Sequence, residues 1–176
     1  MVNVLSSGAW TGVDVDAAQF SGLQTDRLAW GAVADDVKSA YVFEGCSTQV
    51  PLDGTPSVIG HFEHRNHVIP MPADPKFTAD LTVTVAFGTN DKRTLGPLRF
   101  RHHETPNQSA SPKDTVELEP VSFEQVVEVE GRWYDLLVQG FLQFGQITTH
   151  FISRENDDQP NIAELRVSFT PYQGEA

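Results

Sequence analysis

Apolar and polar positions alternate with a period of two through most of this chain, and the alternation is clearest over residues 77–87. Phe77, Ala79, Leu81, Val83, Val85 and Phe87 fall on one parity, and Thr78, Asp80, Thr82 and Thr84 on the other. Neighbouring side chains of a strand point to opposite faces, so the segment predicts a long strand with one face in the core. Its Val and Thr content favours the same conformation. Gly88-Thr89-Asn90-Asp91 predicts the turn that ends it. Similar patterns predict strands over 115–119, 121–129, 133–144, 148–153 and 162–169, the second and third joined by the turn Glu130-Gly131. Nearer the N-terminus, shorter strands are expected over 8–12, 15–20, 27–30 and 39–44. Residues 32–39 predict one short helical turn, and no segment keeps a helical period over ten or more residues.

Many short strands separated by Gly, Pro and Asn predict an all-β fold, an antiparallel β-sandwich or jelly roll with little helix. At 176 residues, with 11 Phe, 3 Trp and 39% hydrophobic residues, the chain is long and apolar enough for one packed core. No shift of composition marks a boundary, so residues 1–176 are expected to form a single β-sandwich domain.

Within this alternation an aromatic-x-polar-x-polar motif occurs three times. It reads Phe62-Glu63-His64-Arg65-Asn66, Phe100-Arg101-His102-His103-Glu104 and Phe151-Ile152-Ser153-Arg154-Glu155. Residues i, i+2 and i+4 of a strand share a face, so each segment lines up a Phe, a His or Ser, and an Asn or Glu. The Phe side is the inner side, which turns His64, His102 and Ser153 inward as well. An inward His usually has a hydrogen-bond partner, and Asn66 or Glu104, two residues on, is a candidate. Three readings stay open: a polar cluster that holds strands together, a divalent-metal site, and a ligand pocket or catalytic centre.

Oxygen donors gather at the ends of two rows and in the loops beyond them: Glu104, Thr105, Asn107, Glu155, Asn156, Asp157 and Asp158. Hard oxygen ligands on loops favour calcium over zinc, with Glu104, Asn107 and Glu155 as the candidate ligands. The run Asn156-Asp157-Asp158 lacks the spaced acidic order of an EF-hand. His61, Glu63, Arg65 and His67 take the parity opposite to His64 and predict a solvated stripe. That parity speaks against a zinc site made of His61, His64 and His67.

Charge narrows the partners. Acidic residues outnumber basic ones 24 to 12, for a net charge of −12. Nucleic-acid binding draws on clustered Lys and Arg, so no nucleic-acid partner is expected. The balance fits a self-repelling soluble surface or a divalent cation. Cys46 is the one cysteine, which leaves no internal disulfide and no multi-Cys zinc site. No stretch reaches the roughly 18 apolar residues of a membrane-spanning helix. Met1-Val2-Asn3-Val4 shows neither the basic start nor the apolar run of a signal peptide.

The catalytic motifs G-x-S-x-G and H-E-x-x-H and the phosphate-binding glycine loops do not occur. A hydrolase reading would use Glu104 and Glu155 as an acid/base pair of the glycosidase type. A carbohydrate-binding reading would use exposed aromatics stacked on sugar rings, with Trp10, Trp30, Trp133, Tyr134 and Tyr172 as candidates. Trp30 before Gly31, and Trp133 after Gly131-Arg132, also suit core or hairpin packing.

An ordered series of segments resembles the choice-of-anchor K domain, a family found in bacterial surface and exported proteins. The series runs Leu28-Ala29-Trp30-Gly31, Phe62-x-His64-x-Asn66, then Phe100-x-His102-x-Glu104-Thr105-Pro106-Asn107. It continues with Asp114-Thr115-Val116, residues 136–141, Phe151-x-Ser153-x-Glu155 and Asn161-x-Ala163-x-Leu165. The resemblance implies an all-β extracellular or cell-surface domain, usually carrying a signal peptide and a variable C-terminal anchor. After Asn66 this chain reads His67-Val68-Ile69-Pro70, where the family more often has a Pro before the Ile. The expectation is a non-catalytic module for adhesion, ligand binding or spacing, stabilised by calcium, with a surface glycan or protein as partner.

Overall fold

A computed structural model describes residues 1–32, 34, 38–70, 76–88, 91–105, 113–119, 125–155 and 161–174. Among these lie fourteen strands: β1 (Val2–Val13), β2 (Phe20–Ser21), β3 (Arg27–Trp30), β4 (Ser39–Gly45), β5 (Ser47–Val50), β6 (Ser57–Arg65), β7 (Lys76–Phe87), β8 (Asp91–His103), β9 (Lys113–Leu118), β10 (Gln125–Val129), β11 (Arg132–Gln143), β12 (Gln146–Thr148), β13 (His150–Arg154) and β14 (Asn161–Pro171). One 3-10 turn, Ala17–Gln19, separates β1 from β2. The first sheet runs β13-β9-β8-β7-β1-β5, and the second runs β10-β11-β14-β6-β4-β3-β2, with β12 paired to β11. All pairings are antiparallel, so the fold is the expected all-β sandwich.

The alternation of β7 does what its pattern predicts. Phe77, Ala79, Leu81, Val83, Val85 and Phe87 are buried while the intervening residues are half-buried. Between the sheets lies a continuous aromatic core. Trp10 packs on Tyr41 and Phe100 with ring centres 5.2 Å apart in each case. Phe62 meets Phe100 at 5.1 Å and Phe151 at 4.9 Å. Full burial of a Phe side chain contributes about 1.5–3 kcal/mol, so these rings are a main source of cohesion between the sheets.

Several local expectations change. The strand expected over 8–12 extends over the whole of β1. Its middle carries Ser6 and Gly8 at inward positions, which interrupts the apolar pattern without breaking the ladder to β7. Gly8 and Gly60 leave room for the Phe43 ring, which a Cβ at either position would strike. Residues 15–20 are not a strand, apart from Phe20 at the start of β2. The Asp16 carboxylate accepts from the Ala18 N–H at 3.0 Å and turns the chain instead. The strand expected over 148–153 is broken at Thr149, because β12 pairs in the second sheet and β13 in the first. β5 has no counterpart among the predicted strands; it pairs with the start of β1. The helical turn expected over 32–39, the tip of the turn after Gly88 and residues 121–124 lie wholly or partly outside the described residues.

Strand β13 lies at the edge of the first sheet, and two amide side chains from the second sheet close that edge. Gln143 accepts from Ile152 N–H and donates to Ile152 C=O, both at 3.0 Å. Asn161 accepts from Arg154 N–H at 2.8 Å and donates to Arg154 C=O at 2.9 Å. Each amide supplies the donor and acceptor that a further strand would have offered. Asn161 also donates to the His64 carbonyl at 3.3 Å, which fastens the end of β6 beside β13.

Candidate functional site

The three aromatic-polar rows converge. One comes from β6 of the second sheet and two from β8 and β13 of the first, and they face each other across the sandwich. Phe62, Phe100 and Phe151 form the deepest layer, all fully buried. His64, His102 and Ser153 form the next, also buried, with the two imidazoles edge to face at 5.3 Å. Asn66, Glu104 and Glu155 form the outermost layer, in which Asn66 and Glu104 are buried and Glu155 is half-buried. The stripe expected to be solvated is only partly so: His61, Glu63 and His67 are half-buried and Arg65 is exposed. Asn107 lies outside the described residues.

A fourth row completes the arrangement. In β9, Leu118, Val116 and Asp114 are the inward residues. The register sets Phe100 opposite Leu118 and His102 opposite Val116, while Asp114 stands opposite Ser153. Two residues beyond His102, Glu104 therefore comes level with Asp114, and Asp114 with Ser153. Asp114 is absent from the sequence-based candidates because its row runs the other way. β9 is antiparallel to β8, so the polar residue comes first and the apolar ones follow. The available signal was Asp114-x-Val116-x-Leu118, the same row read backwards with aliphatic residues in place of the ring.

Tyr41, on β4, was also missed; a lone Tyr in an apolar strand carries no polar pattern. It is fully buried, and its hydroxyl lies 2.6 Å from His102 Nδ1. His102 Nε2 lies 3.0 Å from Glu104 Oε2. Burial, then the nearby Asp114 and Glu104 carboxylates, hold the phenol well above its ordinary range, so it keeps its proton. Among the described residues the phenol has no other hydrogen-bond partner, and a buried O–H left undonated is costly. The hydroxyl therefore donates to a bare Nδ1, and Nε2–H donates to Glu104. Burial lowers the His102 pKa to about 4, which keeps the ring neutral. His64 is likewise pushed well below its ordinary value, first by burial and then by His102 and His67. Its ring lies 5.5 Å from that of Trp30 in a stacked arrangement.

The carboxyl groups sit close together. Glu104, Asp114 and one His102 nitrogen offer ligand atoms all within 4.8 Å of one another. Asp114 Oδ1 accepts from Thr105 N–H at 2.9 Å and from the Thr105 hydroxyl at 3.3 Å. Burial raises the pKa of Asp114, with Glu104 adding to the effect, against the Thr105 N–H, His102 and the Asn66 amide. Burial takes Glu104 up to about 7. Burial, then Asp114 and Glu104, takes Glu155 up to about 7 as well. No Lys or Arg is buried among the described residues.

Several buried atoms of this junction have no hydrogen-bond partner among the described residues. They are Asn66 Oδ1, Glu104 Oε1, Asp114 Oδ2, Ser153 Oγ, both Glu155 carboxylate oxygens and both His64 ring nitrogens. Asn66 Nδ2, by contrast, donates to the Ser153 carbonyl at 3.5 Å. Buried polar atoms are nearly always paired in folded proteins, and a shared deficit of acceptor partners suits a bound cation. The aromatic candidates divide: Trp10, Trp30 and Tyr134 are core, while Trp133 and Tyr172 are 55% and 46% exposed.

No protein-family model matches the chain, and no curated protein matches it. No helix among the described residues is long and apolar enough to cross a membrane.

Proposed function

We propose that this chain is a non-catalytic extracellular β-sandwich module of a bacterial surface or exported protein, serving adhesion, ligand binding or spacing and stabilised by calcium. The observation that carries the reading is the group of unpartnered, oxygen-rich polar atoms where the rows meet. Three carboxylates beside one another, without a buried Lys or Arg among the described residues, call for a cation or for protons. The near-complete burial of Glu104, 2% exposed, suits a structural group better than an acid meeting substrate. The resemblance to choice-of-anchor K domains supports the extracellular setting. The test is thermal melting with and without a chelator, together with elemental analysis of the purified protein. A lower melting temperature on chelation and about one calcium per chain are expected. No shift together with no bound metal would overturn the reading.

A second reading, carbohydrate binding, has one observation in its favour. Trp133, on β11, and Tyr172, just past the end of the adjacent β14, are both exposed, with Tyr172 N–H donating to the Trp133 carbonyl at 3.0 Å. Two neighbouring rings can stack on a sugar. Glycan-array binding lost on Trp133→Ala would support this reading, and binding unchanged by that substitution would remove it.

A further inference from the structure

Resting on the calcium-stabilised reading above, we infer that the junction binds a hard divalent cation through oxygen ligands alone, with Asp114 at its centre and His102 as a positioning residue rather than a ligand. The donors are Asn66 Oδ1, Glu104 Oε1, Asp114 Oδ2 and Ser153 Oγ, with the two Glu155 oxygens at the rim, all without a partner among the described residues. Calcium takes six to eight oxygens at about 2.3–2.6 Å, so two ligands of one ion stand at most about 5 Å apart. One carboxylate oxygen of Glu104 and one of Asp114 lie within 4.8 Å of each other, inside that limit. The strand register explains why these donors share one place. Glu104, Asp114 and Ser153 lie level on β8, β9 and β13 or just beyond, and Asn66 reaches over from the second sheet.

The hydrogen-bond chain sets the role of His102. Its Nδ1 accepts from Tyr41, so its Nε2 carries the proton and donates to Glu104 Oε2. A nitrogen holding a proton has no lone pair for a metal. The ring instead fixes one oxygen of Glu104 and leaves Oε1 to the ion, the arrangement by which outer groups orient ligands in metal sites. The His64 nitrogens, though unpartnered, are not in the group whose ligand atoms come within 4.8 Å of Glu104 and Asp114, and without a nitrogen or sulfur donor the set favours calcium over zinc. One divalent charge against three carboxylates leaves the occupied site mildly anionic.

Calcium and zinc chloride, titrated separately into chelator-treated wild type and Asp114→Asn, test the inference by calorimetry and melting. Wild type is expected to bind calcium at least about tenfold more tightly than zinc. Asp114→Asn removes one charged ligand at constant shape and is expected to weaken calcium binding at least about tenfold. Its metal-free melting temperature should be unchanged or higher, because it takes a charge out of a crowded buried group. A residue that only supported the fold would lower that temperature instead. Nitrogen-15 spectra of His102 should show Nε2 protonated with and without calcium. Equal calcium affinity in wild type and Asp114→Asn would overturn the ligand set while leaving calcium stabilisation intact. Loss of the Nε2 proton on metal binding, or tighter binding of zinc, would overturn the oxygen-only assignment. Failure of wild type to bind any calcium would overturn the underlying reading as well.

Discussion

Replacing Tyr41 with Phe removes one oxygen from the middle of the junction and little else. The ring keeps its packing against Trp10, Trp30 and Phe62, at 5.2, 4.8 and 5.1 Å. The apolar contribution is therefore nearly constant, and the change isolates the hydrogen bond of 2.6 Å to His102 Nδ1. Without the hydroxyl, the buried Nδ1 lone pair has no partner. Moving the ring proton to Nδ1 gives no relief, since a bare Nε2 would then face Glu104 Oε2 at 3.0 Å. A buried acceptor stranded in this way costs about 1–3 kcal/mol. Taking about 2 kcal/mol, and about 2–4 °C per kcal/mol for a domain of this size, the melting temperature should fall by about 4–8 °C. Melting followed by circular dichroism in chelator measures it, with Tyr172→Phe as a control at an exposed position. If Tyr41→Phe melts within about 1 °C of wild type, the hydroxyl makes no net contribution, and the proton assignment built on it fails.

Other perturbations probe different parts of the fold. Gln143→Ala should cost about 1–2 kcal/mol, because two hydrogen bonds at the β13 edge are lost to water; hydrogen exchange at the Ile152 amide should speed up, and an unchanged rate would refute the edge role. Gly8→Ala should destabilise by about 1–3 kcal/mol by driving a methyl into the Phe43 ring, as urea unfolding would show; wild-type stability would mean that Phe43 moves aside freely. In chelator, stability should fall as pH rises from about 6.5 to 8. The Glu104 and Glu155 carboxyls, raised to about 7 from 4.5, contribute stability that is full below the unfolded value and lost as pH rises through the folded one. His102, lowered to about 4 from 6.5, and His64, also pushed well below 6.5, act in the opposite sense, their contributions being lost as pH falls below about 6.5. Above pH 6.5 the carboxyls therefore dominate, and a melting temperature that is flat or rises up to pH 8 in chelator would contradict the burial argument.

Period-two alternation is a property of single strands, and it was legible wherever one face is apolar and the other polar. It placed β7 and most of β11 and β14, and it turned His64, His102 and Ser153 inward. That is local stereochemistry: side chains two apart share a face whatever the strand pairs with. The same reasoning failed where the backbone was decided by partners. β1 stays extended through Ser6 and Gly8 because β7 pairs with it and Phe43 fills the space over Gly8. The break at Thr149 exists because the chain there changes sheets.

The site divides along the same line. Sequence by itself determined which residues of three rows point inward and that their outer ends are rich in oxygen donors. Only the tertiary structure decided that the rows meet, that Asp114 joins them through an antiparallel register, and that Tyr41 reaches His102 from the opposite sheet. The physical reason is range. A side chain's face follows from its own strand, whereas its neighbours follow from registers set over the whole sandwich, where one hydrogen bond can link residues 61 positions apart.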